Sequence, residues 1–109
     1  MHIVKQGDTP RLRYSLQRDL AGVSALRLLA FRPGGDELVI DRAMDIEDAV
    51  TGEISVQLEA EDTAQPNYLH ALVRETTTGG HTYSNPSEGY EVIWIQTSYV
   101  APEESSSSE

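Results

Sequence analysis

The chain has no cysteine, a single lysine and a single tryptophan. Without cysteine there is no disulfide framework, no thiolate metal site and no thiol nucleophile. No apolar stretch is long enough to cross a bilayer as a helix. The absence of an apolar run after Met1 argues against an ordinary secretory signal. Bases are scarce: Lys plus Arg is 8 against 18 for Asp plus Glu, a formal net charge of -10. That balance argues against a protein held on nucleic acid by phosphate contacts, and against adsorption to an anionic membrane. What remains, 109 residues of which 39% are hydrophobic, suffices for one domain with a modest core.

The charge is unevenly spread. Residues 1–42 carry a net +2, whereas residues 43–109 hold one base, Arg74, against thirteen acids, a net -12. If the fold keeps these halves apart, complementary potentials favour head-to-tail contact between copies. If the strands interleave, the protein is merely acidic. Abundant carboxylates also keep a surface hydrated when salt screens charge, a profile similar to that of proteins from salt-loving hosts. Pro102 ends any final strand. The stretch that follows, Glu103-Glu104-Ser105-Ser106-Ser107-Ser108-Glu109, has no apolar residue to offset the entropy of ordering. This divides the chain into a domain over 1–101 and an acidic, Ser/Glu-rich flexible or partner-held tail over 102–109.

Helix signals are sparse. Short apolar groups separated by Gly, Pro, Asn and Asp predict about eight strands in hairpins, with no gap long enough for a parallel crossover. The expectation is an all-β antiparallel sandwich, with a small barrel as the structural alternative. Candidate strands include residues 2–5, 12–16, 26–32 and 38–40, the last two joined by Pro33-Gly34-Gly35-Asp36. Ile54, Val56 and Leu58 alternate with polar residues, the mark of a half-buried strand. Residues 59–64 suit a single helical turn. Residues 68–75, 81–83 and 90–96 complete the set.

No constellation of catalytic side chains emerges. His2, His70 and His81 lack an HxH or HExxH spacing. Glu53, Glu59, Glu61 and Asp62 cluster on a strand and the following turn, where carboxylates are ordinarily solvated. Asp41, Asp45 and Asp48 do not follow an EF-hand pattern. Gly34-Gly35 and Gly79-Gly80 suit hairpin turns better than a phosphate cradle. No cofactor or metal is expected. Two stretches are apolar on both faces: Leu28-Leu29 and Ile93-Trp94-Ile95. Alternation cannot bury all of these residues in one core, so Leu28, Leu29, Ile93 and Trp94 are the candidate interface. His81, Tyr83, Asn85 and Tyr90 are candidates for a loop site that binds a glycan or a host protein.

Five segments in order carry a family resemblance. Lys5-Gln6-Gly7-Asp8-Thr9 opens the chain, and Leu20-Ala21-Gly22-Val23 leads into the strand through Phe31. Ile46-Glu47-Asp48-Ala49-Val50-Thr51-Gly52-Glu53-Ile54 and Ala60-Glu61-Asp62-Thr63-Ala64-Gln65-Pro66-Asn67-Tyr68 follow, and then Asn85-Pro86 with Gly89-Tyr90. Together they resemble the immunoglobulin-like N-terminal domain family of tailed-virus baseplate upper proteins. Asn67 stands where that family has glycine, Leu58 and Glu59 where it often has tryptophan, and the one tryptophan lies in the last strand. The resemblance implies an immunoglobulin-like sandwich with turns at 48–52 and 60–67, and with Tyr68 and Tyr90 packed near the ends of the core. It implies a non-enzymatic virion protein, a multicopy tail or baseplate component that contacts copies of itself, other virion proteins or a host surface. Capsid decoration and a head–tail position are alternatives.

Overall fold

The computed structural model describes residues 1–34, 37–86 and 90–97. The tail over 102–109 and the 101/102 boundary lie outside the described residues, as do Gly35 and Asp36 of the predicted Pro-Gly-Gly-Asp turn. Among the described residues there are nine strands: β1 (His2–Lys5), β2 (Arg11–Ser15), β3 (Val23–Phe31), β4 (Leu38–Ala43), β5 (Asp45–Asp48), β6 (Glu53–Gln57), β7 (Asn67–Thr77), β8 (Thr82–Asn85) and β9 (Glu91–Gln96). They form two sheets. The larger runs β1-β9-β7-β3-β4, with β8 also paired to β7, and the smaller runs β2-β6-β5. Two packed sheets with this strand order, at this chain length, are an immunoglobulin-like β-sandwich.

One pairing departs from the antiparallel expectation: β1 runs parallel to β9, with Ile3 opposite Trp94. These are the first and last strands, so the whole domain serves as the connection and no crossover helix is needed. The expected helical turn at 59–64 is replaced by two overlapping tight turns, in which the Asp62 and Thr63 amides donate to the carbonyls of Glu59 and Ala60. Strands β8 and β9 lie along one edge of β7. Asn85 faces Val73 and Glu91 faces Ala71, so the chain between them holds more residues than β7 spends there. Tyr90 lies in that excess.

The core follows the two-residue period. Leu26, Leu28 and Ala30 of β3, Leu69, Ala71 and Val73 of β7, and Ile93 and Ile95 of β9 face Leu12, Ile54, Val56 and Leu58. Each such side chain contributes about 1.5–3 kcal/mol when fully enclosed. Every member of the core is aliphatic or Met44.

Polar ties close the ends of the sandwich. Buried Asp62 accepts two hydrogen bonds from the Arg42 guanidinium, at 2.8 and 3.2 Å, and one from the Glu59 amide at 2.8 Å. The Thr63 hydroxyl donates to the Asp8 carbonyl at 2.7 Å, and the Gly7 amide donates to the Thr63 carbonyl at 3.0 Å. The turn before β7 is thus fastened to β4 and to the β1–β2 turn. Buried Glu75 accepts from Arg18 and, at 2.8 Å, from Asn85. Asp48 accepts from the Val50 amide at 3.0 Å and caps the turn before β6.

Gly52 ends that turn with φ +84°, and a Cβ there would lie 2.6 Å from the Arg18 carbonyl oxygen. Gly52→Ala is therefore expected to cost about 1–3 kcal/mol for the left-handed backbone, with the clash in addition. Gly22→Ala, at φ +85° with nothing within 4 Å, loses only the backbone part. Urea denaturation of the two variants checks the difference, and equal losses would refute the close approach.

Candidate contact surface

Strand parity that points the aliphatic residues inward sends a second set outward from the larger sheet. The register arranges them in rows. Ile3, Trp94 and Tyr68 form the first. Val92, His70, Phe31 and Leu38 form the second. Leu72, Leu29 and Asp41 form the third. A fourth row holds Ser84, Arg74, Arg27 and Ala43.

The aromatic rings pair with one another across this face. Tyr68 stacks on Trp94 with centroids 4.9 Å apart, and Tyr90 stacks on His70 at 3.7 Å. These contacts bury the rings only in part: Ile3 remains 58% exposed, and Tyr68 and Tyr90 about half exposed. At ~4.8 Å between strands and ~3.3 Å per residue, the first three rows cover roughly 20 Å by 15 Å. That is at most about 300 Å² in projection, at the lower end of the range of the largest apolar patch on an ordinary monomer, a patch that is often functional. Within those rows His70 and Asp41 are the only side chains of a type that carries charge near neutral pH.

The outer face of the smaller sheet is built differently. Arg11 of β2 reaches Asp45 at 2.7 Å and Glu47 at 3.8 Å on β5. Ser55 of β6 lies enclosed beneath them and donates to the Glu47 carboxylate. Gln57 donates to the Thr9 carbonyl at 2.6 Å. This surface satisfies its own charges and suits solvent.

The predicted interface residues divide between the two sides of the sheet. Leu28 and Ile93 are completely enclosed in the chain's own core and are removed from the candidate interface. Leu29 and Trp94, their neighbours of opposite parity, stand on the outer face. Tyr68 and Tyr90 do not pack at the ends of the core as the resemblance implied. The inward parity of β7 belongs to Leu69, Ala71 and Val73, which leaves Tyr68 outside, and Tyr90 lies in the extra chain before β9.

The proposed loop site does not assemble. Tyr83 and Asn85 extend along β8, where Asn85 is held by Glu75, and His81 sits in the preceding turn. Tyr90 lies on the outer face against His70. The acidic groups are likewise dispersed: Asp41 pairs with Arg27, Asp45 with Arg11, and Glu61 and Asp62 with Arg42. Among the described residues, no group of three or more His, Cys, Asp or Glu side chains is placed to hold a metal ion. His2 packs against Tyr14 at 4.6 Å, away from the other two histidines. Burial lowers the His2 pKa and raises that of the Tyr14 phenol, whose oxygen has no partner among the described residues.

Reasoning from the sequence alone passed over Ile3, Phe31, His70 and Leu72. The available signal was the alternation Tyr68-Leu69-His70-Ala71-Leu72-Val73, apolar at both parities.

What the fold and this surface define is an immunoglobulin-like module with an aliphatic interior and an aromatic outer face. No protein-family model and no curated protein matches the chain. Among solved structures it is similar to murine CRIg, with a TM-score of 0.43 and 14% identity over 90% of this chain and 93% of that one.

The charged face yields a titration test. The Ser55 hydroxyl, aided by Arg11 and Arg13, holds the Glu47 carboxyl below its ordinary value against the opposing effect of burial. The stabilising contribution of Glu47 is therefore complete above the ordinary carboxylate range and is lost as pH falls through the lowered folded value. In Ser55→Ala the Glu47 midpoint should move upward. Carboxyl-carbon NMR titration reads it directly, and an unchanged midpoint would remove the hydroxyl as the cause.

Proposed function

We propose that this chain is a non-enzymatic structural module of a virus particle, a multicopy component of a tail or baseplate, which assembles through the outer face of its larger sheet. The observation that carries the assembly reading is the placement of aromatic residues. Trp94, Tyr68, Tyr90, Phe31 and His70 are gathered on one outward face, while among the described residues Tyr14 alone of the Phe, Trp and Tyr side chains packs against the core. Tryptophan, tyrosine and arginine are the residue types on which protein interfaces concentrate their binding energy. The patch is smaller than the ~800 Å² per partner of a standard interface, so it serves as the apolar centre and the polar rows around it as the rim.

The viral setting is supported by the ordered resemblance of the segments around Asp48–Gly52 and Asp62–Tyr68. In the structure both are close-fitting turns that hold the sandwich together. Their role is architectural, and the contact surface lies elsewhere on the chain.

The single tryptophan is the reporter for this reading. As concentration rises, or when particle proteins are added, Trp94 emission should shift to shorter wavelength and its quenching by acrylamide should fall. Leu29→Asp, in the third row of the patch beside Leu72, should abolish both changes and weaken association at least tenfold, about 1.4 kcal/mol. Cryo-electron microscopy of the intact particle tests the location. Trp94 remaining accessible to quencher at every concentration and with every particle protein would overturn the reading.

A further inference from the structure

We propose that the partner this face fits is a second copy of the chain turned end over end, an inference that rests on the assembly reading above. The arginine row of each copy then lies across the Tyr68–Trp94 pair of the other. The face has two chemically different ends. At one end stand the stacked Tyr68 and Trp94 rings. At the other stand Arg74 and Arg27, directly opposite each other on β7 and β3 and both exposed. Successive rows are two residues apart along the strands, ~6.6 Å, so the first and fourth rows are ~20 Å apart. The rows between them, Val92-His70-Phe31-Leu38 and Leu72-Leu29-Asp41, form the apolar middle. A guanidinium is attracted to the face of an aromatic ring. This surface carries both members of that contact, too far apart to meet within one chain.

Two identical sheets packed face to face can be related by a two-fold axis along the strands or by one across them. An axis along the strands sets each row on the same row of the other copy, so that arginines face arginines, which is repulsive. An axis across the strands, between the second and third rows, reverses the order of the rows and keeps the order of the strands. The first row then faces the fourth, and the second faces the third. Arg74 comes to lie over Tyr68, since both belong to β7. Arg27 comes to lie beside it, over the corner where β3 has ended at Phe31. The 4.9 Å between the two ring centroids is the spacing of neighbouring strands, so Trp94 covers the β9 side of the Tyr68 ring and the β3 side is left to the incoming cations. In the middle Leu29 meets Phe31, and Leu72 meets His70. Asp41 falls at the rim, on the edge strand β4, where it keeps water and its own partner Arg27 at 2.6 Å. Sheets stacked in this way lie ~10 Å apart, a gap that leucine and phenylalanine fill and an extended arginine spans.

The four rows cover roughly 20 Å by 20 Å in projection, about half the ~800 Å² per partner of a standard interface. An isolated pair is therefore weak, and a net charge of -10 on each copy weakens it further. Salt that screens this charge strengthens the pair, and in a particle many such contacts act together. The same patch serves on both copies, so the contact closes at two.

Sedimentation equilibrium of the full chain up to millimolar concentration, at low and at high salt, tests this. The expected product is a dimer that grows no further. Arg74→Gln and Tyr68→Leu, both at exposed positions, should each weaken dimerisation about tenfold, whereas Tyr68→Phe keeps the ring and the affinity. Within one chain these side chains are remote enough for their effects to add. If they touch across the axis, the double variant loses little more than either single one. A loss equal to the product of the two, about a hundredfold, would overturn the inference. Arg13→Gln, the same change of charge on the smaller sheet, should leave dimerisation unchanged, and circular dichroism establishes that each variant is folded. A chain that stays monomeric at every concentration and salt, or that grows into open-ended species, would also overturn it. If Leu29→Asp nevertheless prevents the binding of particle proteins, the assembly face stands and self-pairing alone falls. If Trp94 stays open to quencher throughout, both fall.

Discussion

Strand parity is the constraint on which the rest of the structure depends. Once Leu26, Leu28 and Ala30 turn inward on β3, and Leu69, Ala71 and Val73 do so on β7, the side chains between them have no choice of side. A slip of one residue would expose the whole core face. The chain contains no disulfide to pin that register, so packing and turns must do it. The Arg42–Asp62 ion pair, the Thr63–Asp8 hydrogen bond and the Gly52 turn each join segments far apart in sequence. They lie at the ends of the sandwich, where slippage would begin, and they act on direction and register more than on burial.

A core made almost wholly of aliphatic side chains has a consequence for the surface. Immunoglobulin-like sandwiches of antibody type fill the space between sheets with a tryptophan and a disulfide. Here that space is taken by Leu, Ile, Val and Ala with Met44, and Tyr14 packs against them. The one tryptophan and most of the tyrosines are therefore free to stand outside. Aromatic residues left outside without purpose would be a solubility hazard. Their gathering on one sheet face, stacked in pairs, gives a rigid platform whose side chains lose little freedom on contact.

Much of this was legible in the sequence. The all-β class, the hairpin spanning β3 and β4 and the alternation of β6 follow from local pattern, because period two and turn residues are local properties. The doubly apolar stretches at Leu28-Leu29 and Ile93-Trp94 were visible too. Parity could not be read from them, because it is set by which neighbour faces the opposite sheet, and that is a long-range fact. Leu28 and Ile93 proved inward for that reason. The parallel pairing of β1 with β9 joins the two ends of the chain and leaves no local mark. The loop set of His81, Tyr83, Asn85 and Tyr90 failed because closeness in sequence did not survive the excess chain between β8 and β9, which carries Tyr90 to the other side of the sheet.

The interleaving of strands also decides the electrostatics. Bases of the first half meet acids of the second in the Arg11–Asp45, Arg18–Glu75 and Arg42–Asp62 pairs, so the dipole in sequence largely cancels in space. What survives is a net negative charge on every copy. Two such copies repel at long range, and the repulsion extends about 8 Å at physiological ionic strength but only ~3 Å at 1 M salt. A contact between them must therefore have a centre almost free of carboxylates, and it gains from any cation left without a partner. The outer face of the larger sheet meets the first requirement in its aromatic rows and, among the described residues, the second at Arg74. The smaller sheet, with its arginines already matched to Asp45 and Glu47, meets neither. The same sequence feature, acidity, thus narrows the assembly surface to one side of the molecule.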